Sequence, residues 1–259
     1  MLAATVIAVC LMAGFMGCEP SGKSTLSVGM ELSYPPFEMT DEDGAPVGIS
    51  VEMAMALGRS LGREVEIKNL PFDGLIPALK TGKIDLIISS MTATPERAKS
   101  IDFSAPYLRT GLCLLISKDS AIRSYEDLDS KGIVVAVKLG TTGHTYAAGT
   151  IQSATVNVLE KEDICVLEVV QGKADAFIYD QMSTFKNWQR NLETTKPLLE
   201  PFREESWAIG VCKGNEDLVK RINEFLVEFR ASGGFERLGD RFLKEQKEAF
   251  RQLDYPFYF

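Results

Sequence analysis

Strand signals and helix signals alternate along the chain from Ser24 onward, in two successive series. The short apolar segments predicted to be strands lie at 25–30, 64–69, 85–89, 133–137, 155–159 and 175–179. Segments at helical spacing separate them, and strands that alternate with helices in this way build parallel sheets covered by helices. The pattern therefore predicts an α/β protein.

Two further apolar segments flank the second series, at 112–117 and 207–211. If the second series is a domain inserted into the first, these two segments cross between two lobes, and two crossings form a hinge. We therefore expect a discontinuous lobe 1 and an inserted lobe 2. The predicted boundaries are 25–112 and 212–259 for lobe 1, 118–204 for lobe 2, and 113–117 and 205–211 for the hinge strands.

Several helix boundaries are marked by capping residues. Ser50 is a predicted N-cap, and Thr94 is another, followed by Pro95 at the first helical position and an acid in the first turn. The chain ends in two predicted amphipathic helices, at 215–231 and 235–247.

Composition excludes some classes of function. The 259 residues include 36 acidic and 28 basic side chains, a formal net charge of −8, which argues against a nucleic-acid partner because such proteins neutralise phosphates with basic residues. The single histidine, His144, excludes a multi-histidine metal site. We expect neither a metal nor a cofactor.

The N-terminus indicates export. No charged side chain occurs from Met1 to Gly17, and the sequence turns polar directly after Cys18. This apolar stretch is short for a permanent membrane span, so residues 1–17 are a predicted signal peptide. The small residue before Cys18 resembles a bacterial lipobox, which implies lipidation of Cys18 and a tether over 18–24. Because the first residues lack Lys and Arg and Phe15 replaces the usual leucine, a plain cleaved signal and an uncleaved segment stay open.

The same stretch also fits the phosphate-binding pattern G-x-x-x-x-G-K-S, from Gly17 to Ser24. That motif needs a helix starting at its Lys-Ser pair, so that the helix N-terminus faces the phosphates. The next residues alternate like a strand, and Pro35-Pro36 follow soon after. We therefore expect a linker here and no nucleotide.

Six motifs, taken in order, resemble the bacterial extracellular solute-binding proteins for polar amino acids, which are the periplasmic partners of ABC importers. The motifs are YPPFE at 34–38, FDGLIPAL at 72–79, SSMTATPER at 89–97, IDFSAPY at 101–107, GTT at 140–142 and DAFIYD at 175–180. The resemblance covers essentially the whole mature chain. It implies the type II periplasmic-binding-protein fold, in which two α/β lobes enclose a ligand cleft.

The chemistry of a free amino acid explains three of the candidate site residues. Burying its carboxylate and its ammonium is costly unless both are paired. Arg97 can bind both carboxylate oxygens with its planar guanidinium, and Thr142, at a predicted helix start, can approach the same group from the other lobe. Asp180 follows an apolar strand, where open α/β sheets place their ligands, and the resemblance gives it the ammonium. Asp180 is equally a candidate helix N-cap, and the two roles are compatible.

The resemblance implies five more site residues. Ser90 and Thr92 match positions that contribute hydroxyl and backbone groups to the ammonium and carboxylate. Tyr34 and Phe72 match the aromatic walls around the ligand side chain, although aromatic residues also build ordinary cores. Glu31 matches an acidic position that meets a side-chain amide or cation. An unpaired acid there favours Gln, His, Arg or Lys over acidic ligands.

The expected function is capture of a polar amino acid and its delivery to an ABC permease, without catalysis. We expect a monomer in the periplasm or at the cell surface, anchored through lipid on Cys18. Two alternatives stay open. One is an enzyme of the cyclohexadienyl dehydratase type, in which Glu31 or Asp180 protonates the leaving hydroxyl, and the other is a sensory amino-acid-binding module.

Overall fold

The computed structural model describes residues 24–253 and Tyr255. The predicted signal peptide at 1–17 and the predicted lipidation site Cys18 lie outside the described residues. The strands are β1 Thr25–Met30, β2 Ser33–Tyr34, β3 Glu38–Thr40, β4 Pro46–Val47, β5 Glu64–Asn69, β6 Leu86–Ile87, β7 Ile101–Phe103, β8 Leu108–Ser117, β9 Val134–Lys138, β10 Thr155–Leu159, β11 Ala176–Asp180, β12 Thr195–Trp207 and β13 Gly210–Cys212.

The α-helices pack against these strands. They are α1 Ile49–Leu61, α2 Leu75–Lys80, α3 Pro95–Ala98, α4 Thr142–Thr150, α5 Glu162–Val170, α6 Gln181–Arg190, α7 Glu216–Ala231, α8 Gly234–Phe242 and α9 Lys244–Gln252. Short 3-10 turns cover Phe72–Gly74 and Tyr125–Leu128.

Two five-stranded sheets with the same plan form the centres of two lobes. The first sheet has the order β5-β1-β6-β13-β7, and the second has the order β10-β9-β11-β8-β12. In each sheet the first three strands are parallel and the fourth is antiparallel to its neighbours. The α/β fold in two lobes that the sequence predicts is confirmed.

Local signals set several element boundaries correctly. Helix α3 begins at Pro95, and its N-cap Thr94 accepts a hydrogen bond from the backbone N–H of Arg97. The prediction for Ser50 is wrong: α1 begins at Ile49 with Gly48 as its N-cap, and the Ser50 hydroxyl donates instead to the buried Glu38 carboxylate.

The connections between the lobes are paired with each other. Residues 108–112 of β8 pair with 203–207 of β12, and the register shifts between Leu198 and Arg203. The predicted single strand at 207–211 is wrong, because Trp207 ends β12 while Gly210 begins β13 in the first sheet. Residues 113–117 lie within the second sheet. We propose the paired segments 108–112 and 203–207 as the hinge.

Each lobe has its own apolar core. The main core of the first lobe includes buried side chains of β1 and α1, and that of the second lobe includes buried side chains of β8, β9 and β11. The last predicted helix is broken at Leu243 into α8 and α9. Phe250 of α9 packs on Phe185 of the second lobe, with ring centroids 4.9 Å apart, so the chain end also links the lobes.

Candidate functional site

A cleft lies between the lobes, where the carboxyl ends of parallel strands from both sheets meet. Glu31 follows β1, and Ser89 and Ser90 follow β6 in the first lobe. Lys138 and Asp180 are the last residues of β9 and β11 in the second lobe. Open α/β sheets bind ligands at this edge, because loops and helix N-termini converge there.

All eight residues predicted to bind a ligand line this cleft. They are Glu31, Tyr34, Phe72, Ser90, Thr92, Arg97, Thr142 and Asp180. The open space between them is about 40 Å³, enough for only a few water molecules. A larger molecule therefore enters only if the lobes separate or side chains move, and contact of each residue with a ligand stays a prediction.

Arg97 contacts both lobes at one end of the cleft. Its guanidinium donates to the carbonyl oxygen of Thr92 at 2.7 Å and to that of Gly140, in the second lobe, at 2.9 Å. Burial lowers the pKa of Arg97 to about 10, so it stays charged at neutral pH. Backbone carbonyls partly replace the hydration of this charge, but no carboxylate is hydrogen-bonded to it among the described residues.

Asp180 acts both as a helix cap and as part of the cleft wall. Its Oδ1 accepts hydrogen bonds from the amides of Met182 and Ser183, at the N-terminus of α6, and from the hydroxyl of Tyr34 at 2.6 Å. Burial raises the pKa of Asp180 to about 6 despite these donors. The Tyr34 bond joins the two lobes, and the Tyr34 ring stacks on Phe37 at 5.5 Å.

A carboxylate that the sequence analysis missed lies between the two predicted threonines. Oε2 of Glu205, on β12, accepts hydrogen bonds from the hydroxyls of Thr92 and Thr142, each at 2.9 Å. Burial raises the pKa of Glu205, while both threonines and nearby arginines lower it. We call Thr92, Arg97, Thr142, Asp180 and Glu205 the head-group end of the cleft.

An ion pair across the lobes adjoins the cleft: Glu31 lines the open space, and Lys138 is buried next to it. Lys138 donates to Oε2 of Glu31, and Lys138 is almost fully buried, with 2% of its surface exposed. Its ammonium also lies 5.5 Å from the centroid of the Phe72 ring, and Arg97 lies 5.4 Å from the same ring. We call Glu31, Phe72 and Lys138 the side-chain end. Sequence analysis missed Lys138, although a lysine that closes an apolar strand was a usable signal.

Ser90 connects the cleft to a buried acid. Its backbone has a φ of +46°, a region that non-glycine residues rarely adopt, and its hydroxyl donates to Glu38 at 3.1 Å. Ser50 donates to the same oxygen at 2.6 Å. Burial still raises the pKa of Glu38 to about 8, so this side chain is mostly neutral at pH 7.

Comparison with known families decides where the chain belongs. Residues 26–245 match the model of the bacterial extracellular solute-binding proteins, family 3. The chain belongs to this family. That match spans both lobes and every element that lines the cleft.

Individual relatives of this family 3 protein have been named for what they bind. The L-cystine-binding protein TcyJ of Escherichia coli (strain K12) is 31% identical over 221 residues, which cover 85% of this chain and 82% of TcyJ. A crystal structure of a mutant of ArgBP from T. maritima has a TM-score of 0.79 and 37% identity, covering 85% of this chain and 96% of that one. A putative binding component of an ABC transporter from Wolinella succinogenes, complexed with lysine, has a TM-score of 0.79 and 31% identity, covering 85% and 96%.

These comparisons make the family 3 protein a binding protein and not an enzyme, so the dehydratase alternative is not favoured. Among the residues that the structure describes, no group of three or more His, Cys, Asp or Glu side chains is arranged to hold a metal ion. No helix in the described part of the chain is long and apolar enough to pass through a membrane.

Proposed function

We propose that the cleft binds one free amino acid and that the closed, loaded protein delivers it to the permease of an ABC importer. The observation that carries this proposal is the opposed charge at the head-group end, with Arg97 on the first lobe and Asp180 on the second, both lining one cleft. A zwitterion offers a carboxylate to the first and an ammonium to the second. Contacts from both lobes favour the closed state over the open one, which a permease can then recognise.

The side-chain end narrows the ligand class. Glu31 and Lys138 neutralise each other and are largely buried, so a cationic ligand side chain on Glu31 would leave the Lys138 ammonium without its partner. A group that donates to Glu31 and accepts from Lys138 leaves both satisfied. We therefore propose a ligand with a neutral, dipolar distal group, such as the carboxamide of glutamine or the second amino-acid head of cystine. Arginine and lysine are the less favoured members of the expected set.

A thermal scan tests this proposal. The purified protein is unfolded, freed of carried-over ligand, refolded, and melted with each of the twenty amino acids and with cystine. A ligand present at a hundred times its dissociation constant stabilises the fold by about 2.7 kcal/mol. For a chain of this size that raises Tm by about 5–10 °C. No shift with any of these compounds would contradict the proposal.

We further propose that the protein acts as a monomer in the periplasm or at the cell surface, held to a membrane by lipid on Cys18. The supporting observation is the charge-free stretch before Cys18. The Cys18→Ala variant is expected to leave the membrane fraction. Its intact mass shows whether the signal peptide has been cleaved. Light scattering on the released protein then measures its oligomeric state. Equal membrane association of variant and parent would contradict lipid attachment.

A further inference from the structure

Glu205 lies in one of the two chain segments that connect the lobes. It lies in the hinge segment 203–207 of β12, yet its side chain turns into the cleft and is 3% exposed. Its Oε2 contacts Thr92, which follows β6 in the first lobe, and Thr142, which begins α4 in the second. One carboxylate oxygen from the hinge therefore joins hydroxyls from both lobes.

The chemistry of a hydroxyl group makes this contact directional. A threonine hydroxyl has one proton to donate and two lone pairs to accept with, whereas an ionised carboxylate only accepts. Thr92 and Thr142 therefore each donate their single hydroxyl proton to Glu205. Both threonines also line the cleft, so a ligand atom that meets their hydroxyl oxygens has to be a donor.

We propose two roles for Glu205. As a positioning residue of the ligand site, it holds the Thr92 and Thr142 hydroxyls as acceptors for the ligand's ammonium. As a clasp, it connects the two lobes through the same two hydrogen bonds. This inference rests on the proposed amino-acid ligand for its first part, and its second part needs no ligand. It also reassigns the hydroxyl of Thr142, which the sequence analysis directed at the ligand carboxylate. While that hydroxyl donates to Glu205, the carboxylate is left to Arg97 and to the backbone amides at the start of α4.

The other oxygen of Glu205 supports a role beyond packing. Oε1 is buried and has no hydrogen-bond partner among the described residues, and the Nε of Arg203 lies 3.8 Å from it. A buried carboxylate oxygen without a donor is costly. A side chain that served only to fill space at this position would not need a carboxylate.

The ligand-dependent test uses matched pairs of compounds with and without the α-amine. The pairs are L-glutamine with glutaramate, and L-lysine with 6-aminohexanoate, and the measured quantity is the ratio of dissociation constants within a pair. Glu205→Met keeps the length of the side chain but removes the acceptor, so we expect the preference for the amine to fall about tenfold, as for the loss of one hydrogen bond to a charged group. Glu204→Met, an exposed neighbour on the same strand, should leave the ratio unchanged.

Two further variants separate positioning from folding. Thr142→Val removes one of the two hydroxyls and should lower the amine preference by less than Glu205→Met does. Glu205→Gln removes the charge but offers an amide oxygen that can accept both threonine protons, so it should keep more of the preference than Glu205→Met. A loss of affinity that is equal for both members of each pair in Glu205→Met would overturn the proposal, because a merely structural defect weakens both alike.

The ligand-free test keeps the clasp independent of the proposed function. Small-angle scattering of the refolded protein without ligand should give a larger radius of gyration for Glu205→Met than for Glu204→Met, because the bridge from Thr92 to Thr142 through Oε2 of Glu205 is lost. Equal radii would overturn the clasp. If the parent protein binds neither glutamine nor lysine, the ligand-dependent part of this inference fails, whereas the thermal scan decides on the proposed function and this measurement decides on the clasp.

Discussion

The two ends of the cleft contain the same kinds of charge but use them differently. At the head-group end, Arg97 and Asp180 are each bonded to other partners, namely backbone carbonyls for Arg97 and amides with a phenol for Asp180. At the side-chain end, Glu31 and Lys138 are bonded directly to each other. Under the proposed function, we therefore expect the head-group end to favour a ligand that brings both charges and the side-chain end to favour one that brings none.

This difference separates what is common to amino acids from what distinguishes them. Every α-amino acid carries the same carboxylate and ammonium, so a head-group end with opposed charges binds the class as a whole. The side-chain end meets the part that varies, and an ion pair there penalises a charged group of either sign, because it would leave one buried partner uncompensated.

The largest effect is expected from Arg97→Ala. Removing one partner of a buried, hydrogen-bonded charge pair costs about 2–5 kcal/mol, or roughly 30-fold to several thousandfold in affinity. Calorimetric titration with the best ligand from the thermal scan measures it. Arg59→Ala, on the exposed last turn of α1, is the matched control. An unchanged affinity in Arg97→Ala, with a folded protein, would remove Arg97 from the site.

The next largest effect is a change of preference in Lys138→Met. This variant leaves Glu31 as an unpaired acid beside Phe72, so arginine and lysine should gain relative to glutamine by about tenfold to a hundredfold, the value of one or more hydrogen bonds between charged groups. Competition titrations give the ratio of affinities. The control is Lys131→Met, at an exposed position of the same lobe. Equal losses for all three amino acids would show that Lys138 supports the fold and not the choice of ligand.

The distance along the chain between contacting residues explains which parts of the cleft could be predicted from the sequence. The Thr94-Pro95 cap and the strand ends are local signals that place Arg97 and Asp180, whereas five of the eight predicted residues came from the family resemblance, and all eight line the cleft. Glu205 and Lys138 were not predicted as site residues, because their contacts join residues 113 and 107 positions apart along the chain. The strand end at Lys138 was a local signal for its position, but its pairing with Glu31 and the contact of Glu205 with Thr92 depend on how two domains face each other, which no local pattern encodes.

The same limit applies to the fold. An apolar segment such as 207–211 has the same pattern whether it forms one strand or passes from one sheet to another. In the structure, the backbone N–H of Ala208 donates to Met91, between the end of β12 and the start of β13. Tertiary partners decide between these arrangements, and therefore the predicted hinge strands at 113–117 and 205–211 differ from the paired segments 108–112 and 203–207 that we propose as the hinge.

A smaller, pH-dependent effect is expected at Asp180. Its pKa of about 6 in the unliganded protein means that the ligand ammonium binds the ionised form and has to displace a proton at lower pH. Affinity should therefore fall by up to about tenfold per pH unit below pH 6 and level off above it. Asp180→Asn should bind weakly at every pH, without this slope. A parent affinity that is constant between pH 5 and 7.5 would contradict the assignment of the ammonium to Asp180.

A separate effect concerns stability instead of binding and comes from Glu38, the buried acid behind Ser90. Its folded pKa of about 8 lies above the ordinary glutamate value of 4.5, so the folded protein binds more protons than the unfolded chain between these values. The free energy of unfolding should therefore fall as pH rises through this window, by at most about 1.4 kcal/mol per pH unit from this group. Glu38→Gln removes the titration and should flatten the slope in urea unfolding between pH 5 and 8. Glu42→Gln, in the exposed hairpin turn, should keep the parent slope, and the same slope in all three proteins would mean that Glu38 is ionised in the fold.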